Sequence, residues 1–362
     1  MSQVASIGRN PDAPRRRGAL VGATTGIDCE TGRACAVVDV LDLDSRSPAL
    51  ARIPLDFPAH WIAQHPHRRR LAAAVEKRGA RGAIVDLAEG RRLDTLAPLP
   101  DHAFSGHAAW SADGEVLFLV ETHTQTGAGA LSVRDAGTLV VLGRLSTHGF
   151  FPHDCRLAHD GRRLAVTNGG GTAASGCRPS LVLVDPASNE LVDRRELDDP
   201  RRNAGHLALA ADGALAVVSA PRDGLPERTT PGGVAVALAD GPLTCLNAPT
   251  SAVGALVGEA LSVAIHPPSR TVVVTHPHAG LVSFWSLERG FQGGLAAPAP
   301  RGVAVFGDAQ EVVVSCGVDG RLLLVDPLTR SAQPLHSAPE GVFGGAHLQA
   351  WDAVPAVAGP AV

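Results

Sequence analysis

The stretch Ser105-Gly106-His107-Ala108-Ala109-Trp110-Ser111-Ala112-Asp113-Gly114-Glu115-Val116-Leu117-Phe118-Leu119-Val120-Glu121-Thr122 decides the fold. A histidine opens a short apolar run, an Asp-Gly pair turns the chain, and a second apolar, β-branched run returns. Asp-Gly has a steric reason to turn: glycine adopts positive φ freely and the Asp side chain caps the local backbone. The same order recurs from His153 (Asp160-Gly161, then Leu164–Thr167) and from His206 (Asp212-Gly213, then Leu215–Val218). His60 and His347 open similar runs, and two weaker copies begin at Ser262 and Arg301. Starts at 60, 107, 153, 206, 262, 301 and 347 are separated by steps of 47, 46, 53, 56, 39 and 46 residues. A period of this length, with strand–turn–strand content and no helical pattern, predicts an all-β fold. Seven starts predict a seven-bladed β-propeller with four-stranded blades, of the YVTN, quinoprotein-amine-dehydrogenase-like or WD-repeat-like kind.

Individual units read in detail. From His107 the expected strands are 107–111, Val116 to about Glu121, Ala130–Arg134 and Val140–Leu145. From His153 they are Cys155–Ala158, Arg163–Thr167, Leu181–Val184 and Leu191–Leu197, with Asp185-Pro186 as an outer turn that Asp326-Pro327 repeats. The last unit runs out of chain soon after His347, so the N-terminal stretches Gly18–Gly22 and Ala36–Leu41 are expected to complete it. The segment Ala36–Leu41 is expected to pair with the strand after His347, which removes an exposed sheet edge. The division that follows is a flexible lead over 1–17 and a single propeller domain over 18–362.

Composition narrows the function classes. Of 362 residues 45% are apolar and 4% aromatic, with no Tyr and one Met. Of the 32 basic residues, Lys77 is the only lysine. A net charge of −4 offers no basic field for displacing phosphate counterions, so nucleic acid is not an expected partner. No apolar run is long enough to span a membrane. Arg15-Arg16-Arg17 precedes a short stretch broken by Gly and Thr, which reads as a lead into the first strand rather than a signal peptide. Six cysteines are too few for a disulfide-built scaffold. Cys29 with Cys35, and Cys155 with Cys177, are the pairings to consider, against a reading of six free thiols.

The repeat also places side chains. In a propeller the inner strand of each blade lines one channel, so a polar residue at one repeat position becomes a ring. The expected ligand site gathers His107, Glu121, His153, Asp154, Asn168, Arg178 and His206 at one channel mouth, with His107, His153 and His206 as the metal ligands. Neutral imidazole suits Cu, Fe or Zn. The competing reading is structural: a histidine at an inner-strand start can tie blades together through a neighbouring carbonyl, and a repeat copies that role. His276 and His278 are placed on the same rim with less claim to a metal, and His65, His67 and His159 in solvated turns on the far side.

Several segments resemble one family: Ser105–Thr122, Gly149-Phe-Phe-Pro-His-Asp154, Leu164-Ala-Val-Thr-Asn-Gly-Gly170, Arg178-Pro-Ser-Leu181 and Gly205–Gly213. They are similar to a bacterial propeller family known as domain of unknown function 1513. Its matching patterns read, roughly, G-H-G before an S-x-D-G turn, T-E-N, G-P-H-E, A-N-G-G, R-P-S-L and H-L-A. The likeness runs from about residue 50 to 350, and the Asn168-Gly-Gly…Arg178-Pro-Ser block is its most specific part. The resemblance implies a periplasmic protein, often twin-arginine-targeted. It also implies proximity to imelysin-like and di-haem peroxidase-like proteins of metal uptake. This chain departs in lacking a recognisable leader, in Thr122 where the pattern has Asn, and in Asp154 where it has Glu.

Three function classes follow. The first is a ligand- or metal-binding propeller accessory to periplasmic iron or copper handling. The second is an enzyme, a hydrolase, lyase or oxidase. It would use Glu121, His153 and Asp154 for proton transfer and Arg178 as an anion clamp. No nucleophile elbow, P-loop or H-E-x-x-H pattern selects a reaction. The third is a protein-interaction scaffold, which would need an exposed apolar or charged face.

Overall fold

The middle strands carry no in–out alternation. Leu164–Asn168, Leu215–Ser219 and Thr271–His276 are buried along their whole length. Such strands need cover on both faces, and the sheets supply it by stacking face to face around a ring. Outer strands have only solvent beyond them and are correspondingly polar: Arg91–Leu96 and Glu190–Glu196 are largely exposed. The computed structural model describes residues 16–27, 34–44, 49–239, 241–308, 310–317, 321–335, 341–345 and 347–351. Most of the expected lead 1–17, and the Cys29–Cys35 pairing, lie outside the described side chains. Arg17 is described, and it pairs with Glu311 at 3.0 Å.

Apolar clusters fill the space between successive sheets. One joins Phe118, Val120 and Leu131 to Leu164, Val166 and Val182. Another joins Ala216, Val218 and Val236 to Val272, Val274 and Trp285. Leu20 and Leu41 pack on Phe306, Val313 and Leu348 on one side, while Val21, Val38 and Val40 pack on Ile62, Ala72 and Val85 on the other. The ring therefore closes through the N-terminal strands.

The expectation of seven separate blades is overturned. Five four-stranded blades stand apart, and the strands between residues 59 and 150 form one eight-stranded sheet. The cause is the strand Leu71–Gly79, which runs past its own unit and pairs with His102–Trp110 through Lys77↔Ser105 and Gly79↔Phe104. The closing pair also differs from expectation. Ala19–Ile27, not Ala36–Leu41, pairs with Leu348–Trp351, in the register Ala19↔Trp351 to Gly22↔Leu348. Ala34–Asp42 lies one strand further out. Gly22 permits the arrangement, because a Cβ there would lie 2.8 Å from the Phe343 ring and 3.0 Å from the His347 carbonyl. Among the described residues helix is confined to Thr250–Gly254 and a 3-10 turn at Ala173–Ser175. No described helix is long and apolar enough to cross a membrane.

Gly22→Ala should therefore destabilise the closure by about 1–3 kcal/mol, the usual cost of overpacking. Gly143→Ala, where an added Cβ meets nothing within 4 Å, should leave stability unchanged. Thermal unfolding of the two variants checks the contrast.

Candidate functional site

Inner strands keep regular pairing except where they meet the channel. Register breaks fall between Ala59 and Trp61, Phe104 and Ala108, Pro152 and Cys155, and Pro300 and Val303. These intervals contain His60, His107, His153 and Arg301. A bulge frees one or two residues from the sheet's alternation and re-aims their side chains. His206, Ser262 and His347 reach the same level by standing just before their strands. Gly106, at φ +102°, lets the backbone pass close to its neighbours: a Cβ there would lie 2.7 Å from the His60 ring and 3.0 Å from the Lys77 stem.

Five imidazoles consequently meet on the axis. One nitrogen from each of His60, His107, His206 and His347 lies within 4.8 Å of the others. His153 Nε2 is 2.7 Å from His206 Nε2, and His347 Nε2 is 3.1 Å from His60 Nε2. Burial pushes all five below the ordinary histidine value and the nearby Lys77 charge pushes the same way; neighbouring rings add to this at His60, His153, His206 and His347, while Asp154 opposes it at His107. All five are neutral at pH 7.

The outer partners of two rings fix which nitrogen faces the axis. His206 Nδ1 donates to the Leu261 carbonyl at 2.5 Å, which leaves Nε2 as a lone-pair acceptor. His107 Nδ1 lies 2.9 Å from Asp154 Oδ1, a close contact off hydrogen-bond geometry, and His107 Nε2 has no hydrogen-bond partner. Burial alone would raise the Asp154 carboxyl, but Arg156 and His107 beside it outweigh that and hold it well below the usual carboxylate range. Asp154 also accepts the N–H of Cys155 at 2.8 Å and, across to the next sheet, that of Leu207 at 3.1 Å. The Arg156 guanidinium sits 3.7 Å above the Trp61 ring, and Trp61 stacks on His107 at 5.2 Å. This stack covers the cluster on the side towards which the inner strands run.

Hydroxyls do most of the tying between sheets. Thr167 Oγ1 donates to the Gly205 carbonyl at 2.6 Å and Thr275 Oγ1 to the Arg301 carbonyl at 2.5 Å. Of the five rings only His206 is bonded to a neighbouring sheet's carbonyl, and only by its outer nitrogen.

The other expected site residues lie elsewhere. Glu121 is buried within its sheet, accepting the Leu99 N–H at 2.8 Å with Arg134 4.0 Å away, and burial raises its pKa. Asn168 donates to the Thr147 carbonyl at 2.9 Å. Arg178 is 65% exposed and faces Glu196 at 3.6 Å. None of these three contacts an imidazole, whereas Asp154 does. His276 is buried inside its sheet, 2.8 Å from Ser283 Oγ, and His278 faces Glu227. His65, expected in solvent, is 2% exposed and caps its turn by accepting the N–H groups of His67 and Arg68. Cys155 and Cys177 are free thiols, as is Cys245.

Sequence reasoning left His60 and His347 out of the metal set although both stand at the repeat position. It also missed Trp61, Arg156 and Lys77. The last had one signal, its being the only lysine. On the side from which the inner strands start, a pocket of about 240 Å³ opens beside the cluster, lined by Lys77, Ser105, Thr122, Phe151 and His153 among others.

Fold and centre together define an all-β propeller with a histidine-lined channel. The chain belongs to the family described as "Protein of unknown function (DUF1513)", whose model matches residues 53–349. No curated protein matches it. Among solved structures it is similar to Kuenenia stuttgartiensis hydrazine synthase, at 13% identity and a TM-score of 0.59, over 92% of this chain and 99% of that one. At that identity the likeness speaks for the fold alone.

His276, outside the cluster, gives a clean test of burial. Its pKa is pushed down to about 3 in the folded chain from an ordinary value of 6.5. Between those values the unfolded chain binds a proton that the folded chain does not, so stability falls as pH falls. The slope is about 1.4 kcal/mol per pH unit for this one group. Urea unfolding between pH 6.5 and pH 4 should show His276→Leu losing stability less steeply than wild type by that amount.

Proposed function

We propose that this protein binds one transition-metal ion at the centre of its channel, on His60, His107, His206 and His347, with His153 beside them. The observation that carries the reading is that four neutral imidazoles present nitrogens within 4.8 Å of one another. The lone pair of His107 Nε2 is buried with no partner, and that of His206 Nε2 is met only by His153 Nε2 at 2.7 Å, a contact an ion would replace. An orphaned buried acceptor costs about 1–3 kcal/mol, which an ion would relieve. With metal–nitrogen distances near 2.0–2.1 Å, a tetrahedral imidazole site sets its nitrogens roughly 3.3 Å apart, a small relaxation from the contacts seen. Asp154 and the Leu261 carbonyl supply the outer support that fixes ligand tautomers in metal sites.

The donor set is all nitrogen, which suits Cu(II) and Zn(II), with Fe(II) weaker in the usual affinity order. The sequence-based trio of His107, His153 and His206 is thereby widened to include His60 and His347. Accessory metal handling beside periplasmic iron- or copper-uptake proteins is the setting this reading fits.

Chelator-treated protein titrated with Cu(II) or Zn(II) should retain one ion per chain after gel filtration. Single Gln substitutions of His107, His206 or His347 should each lose it, and His153→Gln should keep the stoichiometry. Asp154→Asn should weaken binding by about 10- to 100-fold. A folded wild-type protein that retains no ion overturns the reading.

A further inference from the structure

We propose that the pocket beside the histidine cluster binds a small monocarboxylate with an apolar body, its carboxylate on the Lys77 ammonium. This goes beyond the metal reading and stands whether or not an ion is bound.

Lys77 sits opposite Ser105 in the pairing that joins the two halves of the large sheet. Its stem is held against the Gly106 backbone, and it lines the 240 Å³ pocket. Among the described residues its ammonium makes no hydrogen bond and no ion pair within 4.0 Å. The strongest favourable charge near it is Glu259, which burial itself pushes towards the neutral form. A largely buried cation whose favourable charge, Glu259, stands beyond ion-pair contact leaves room for an anion against it, since a buried charge is costly unless it is closely paired. Arg222, also in the wall, is not available for this. Its donors are spent on the carbonyls of Gly170, Gly171, Thr172 and Pro200.

The rest of the lining defines the ligand. Phe104, Phe151 and Pro152 offer an apolar wall, while Ser105 and Thr122 line it with hydroxyls bonded to each other at 2.9 Å. Phe151 is held at φ +50° by backbone bonds to Gly127 and Gly169, with its ring against Gly127 and Gly171, so the wall is fixed rather than induced. Asp223 and Arg78 also line the pocket and offset each other's charge, which leaves Lys77 as the net positive group for one carboxylate. The volume falls below that of drug-sized sites, which sets the scale of the ligand. Its inner end would abut His153. Lysine at this one place, in a chain that uses arginine at every other basic position, supplies a compact point charge where a guanidinium fork would fill the pocket.

The probes are benzoate and its neutral isostere benzamide, titrated calorimetrically into chelator-treated protein. Benzoate should bind at least tenfold more tightly than benzamide. Lys77→Met should erase that preference, and Phe151→Ala should weaken both probes while keeping it. Equal binding of the two probes by wild type, no binding of either, a preference that survives Lys77→Met, or indifference to Phe151→Ala overturns the proposal. Working without metal separates the readings: benzoate binding in a protein that fails to retain Cu(II) leaves this site standing, and the reverse result leaves only the metal site.

Discussion

The Asp154 carboxylate is the contact on which the centre of the molecule depends. It is fully buried, yet it reaches the N–H of Leu207 in the next sheet, the N–H of Cys155, the Arg156 guanidinium and the His107 ring. Each would be costly to leave unpaired away from water. One anion thus fastens two sheets, anchors the Arg156–Trp61 stack and orients an imidazole. Removing it would strand several groups at once, which is why breaking a buried ionic network costs far more than the network's net worth.

Around that anchor the work of cohesion and the work of presentation fall to different residue types. Thr167 and Thr275 are short, and their hydroxyls reach the next inner strand's carbonyl without entering the channel. The imidazoles carry their Nε2 atoms two bonds further from the backbone and extend past that seam to the axis. At two seams, Gly205 and Arg301, the carbonyl that a blade-tying ring would seek is already bonded to threonine. The nitrogens that remain point at one another.

How far the sequence alone reaches follows from this. The histidine period found the five axial positions because the inner strands all start at one level, and a repeat in sequence becomes a ring in space. Glu121, Asn168 and Arg178, which the same rim argument grouped with them from the ends of second strands and from a loop, stand apart from the imidazoles. Side-chain direction in a sheet alternates residue by residue, and a bulge shifts it. The breaks at Ala59/Trp61, Phe104/Ala108 and Pro152/Cys155 turn His60, His107 and His153 inward, while unbulged Glu121 and Asn168 stay within the sheets. The same limit hid the fusion of the strands between 59 and 150. Nothing in Lys77-Arg78-Gly79 marks that Leu71–Gly79 overruns its unit. Lys77 was visible only as a compositional oddity, since its meaning depends on Gly106 letting it approach His60.

The two faces of the cluster are unequal, and that inequality governs what can reach it. Trp61 and Arg156 cover the rings on one side, whereas the Lys77 pocket adjoins them on the other. Any ion approaching from the pocket passes an unpaired ammonium whose field already disfavours protonation of all five rings. That field opposes a bare divalent cation for the same Coulombic reason it opposes a proton, and in a half-buried setting it is weakly screened. An anion seated on Lys77 would cancel it. The two proposed sites would therefore be coupled by electrostatics: each ligand would lower the cost of placing the other, and linkage requires the effect to be equal in both directions.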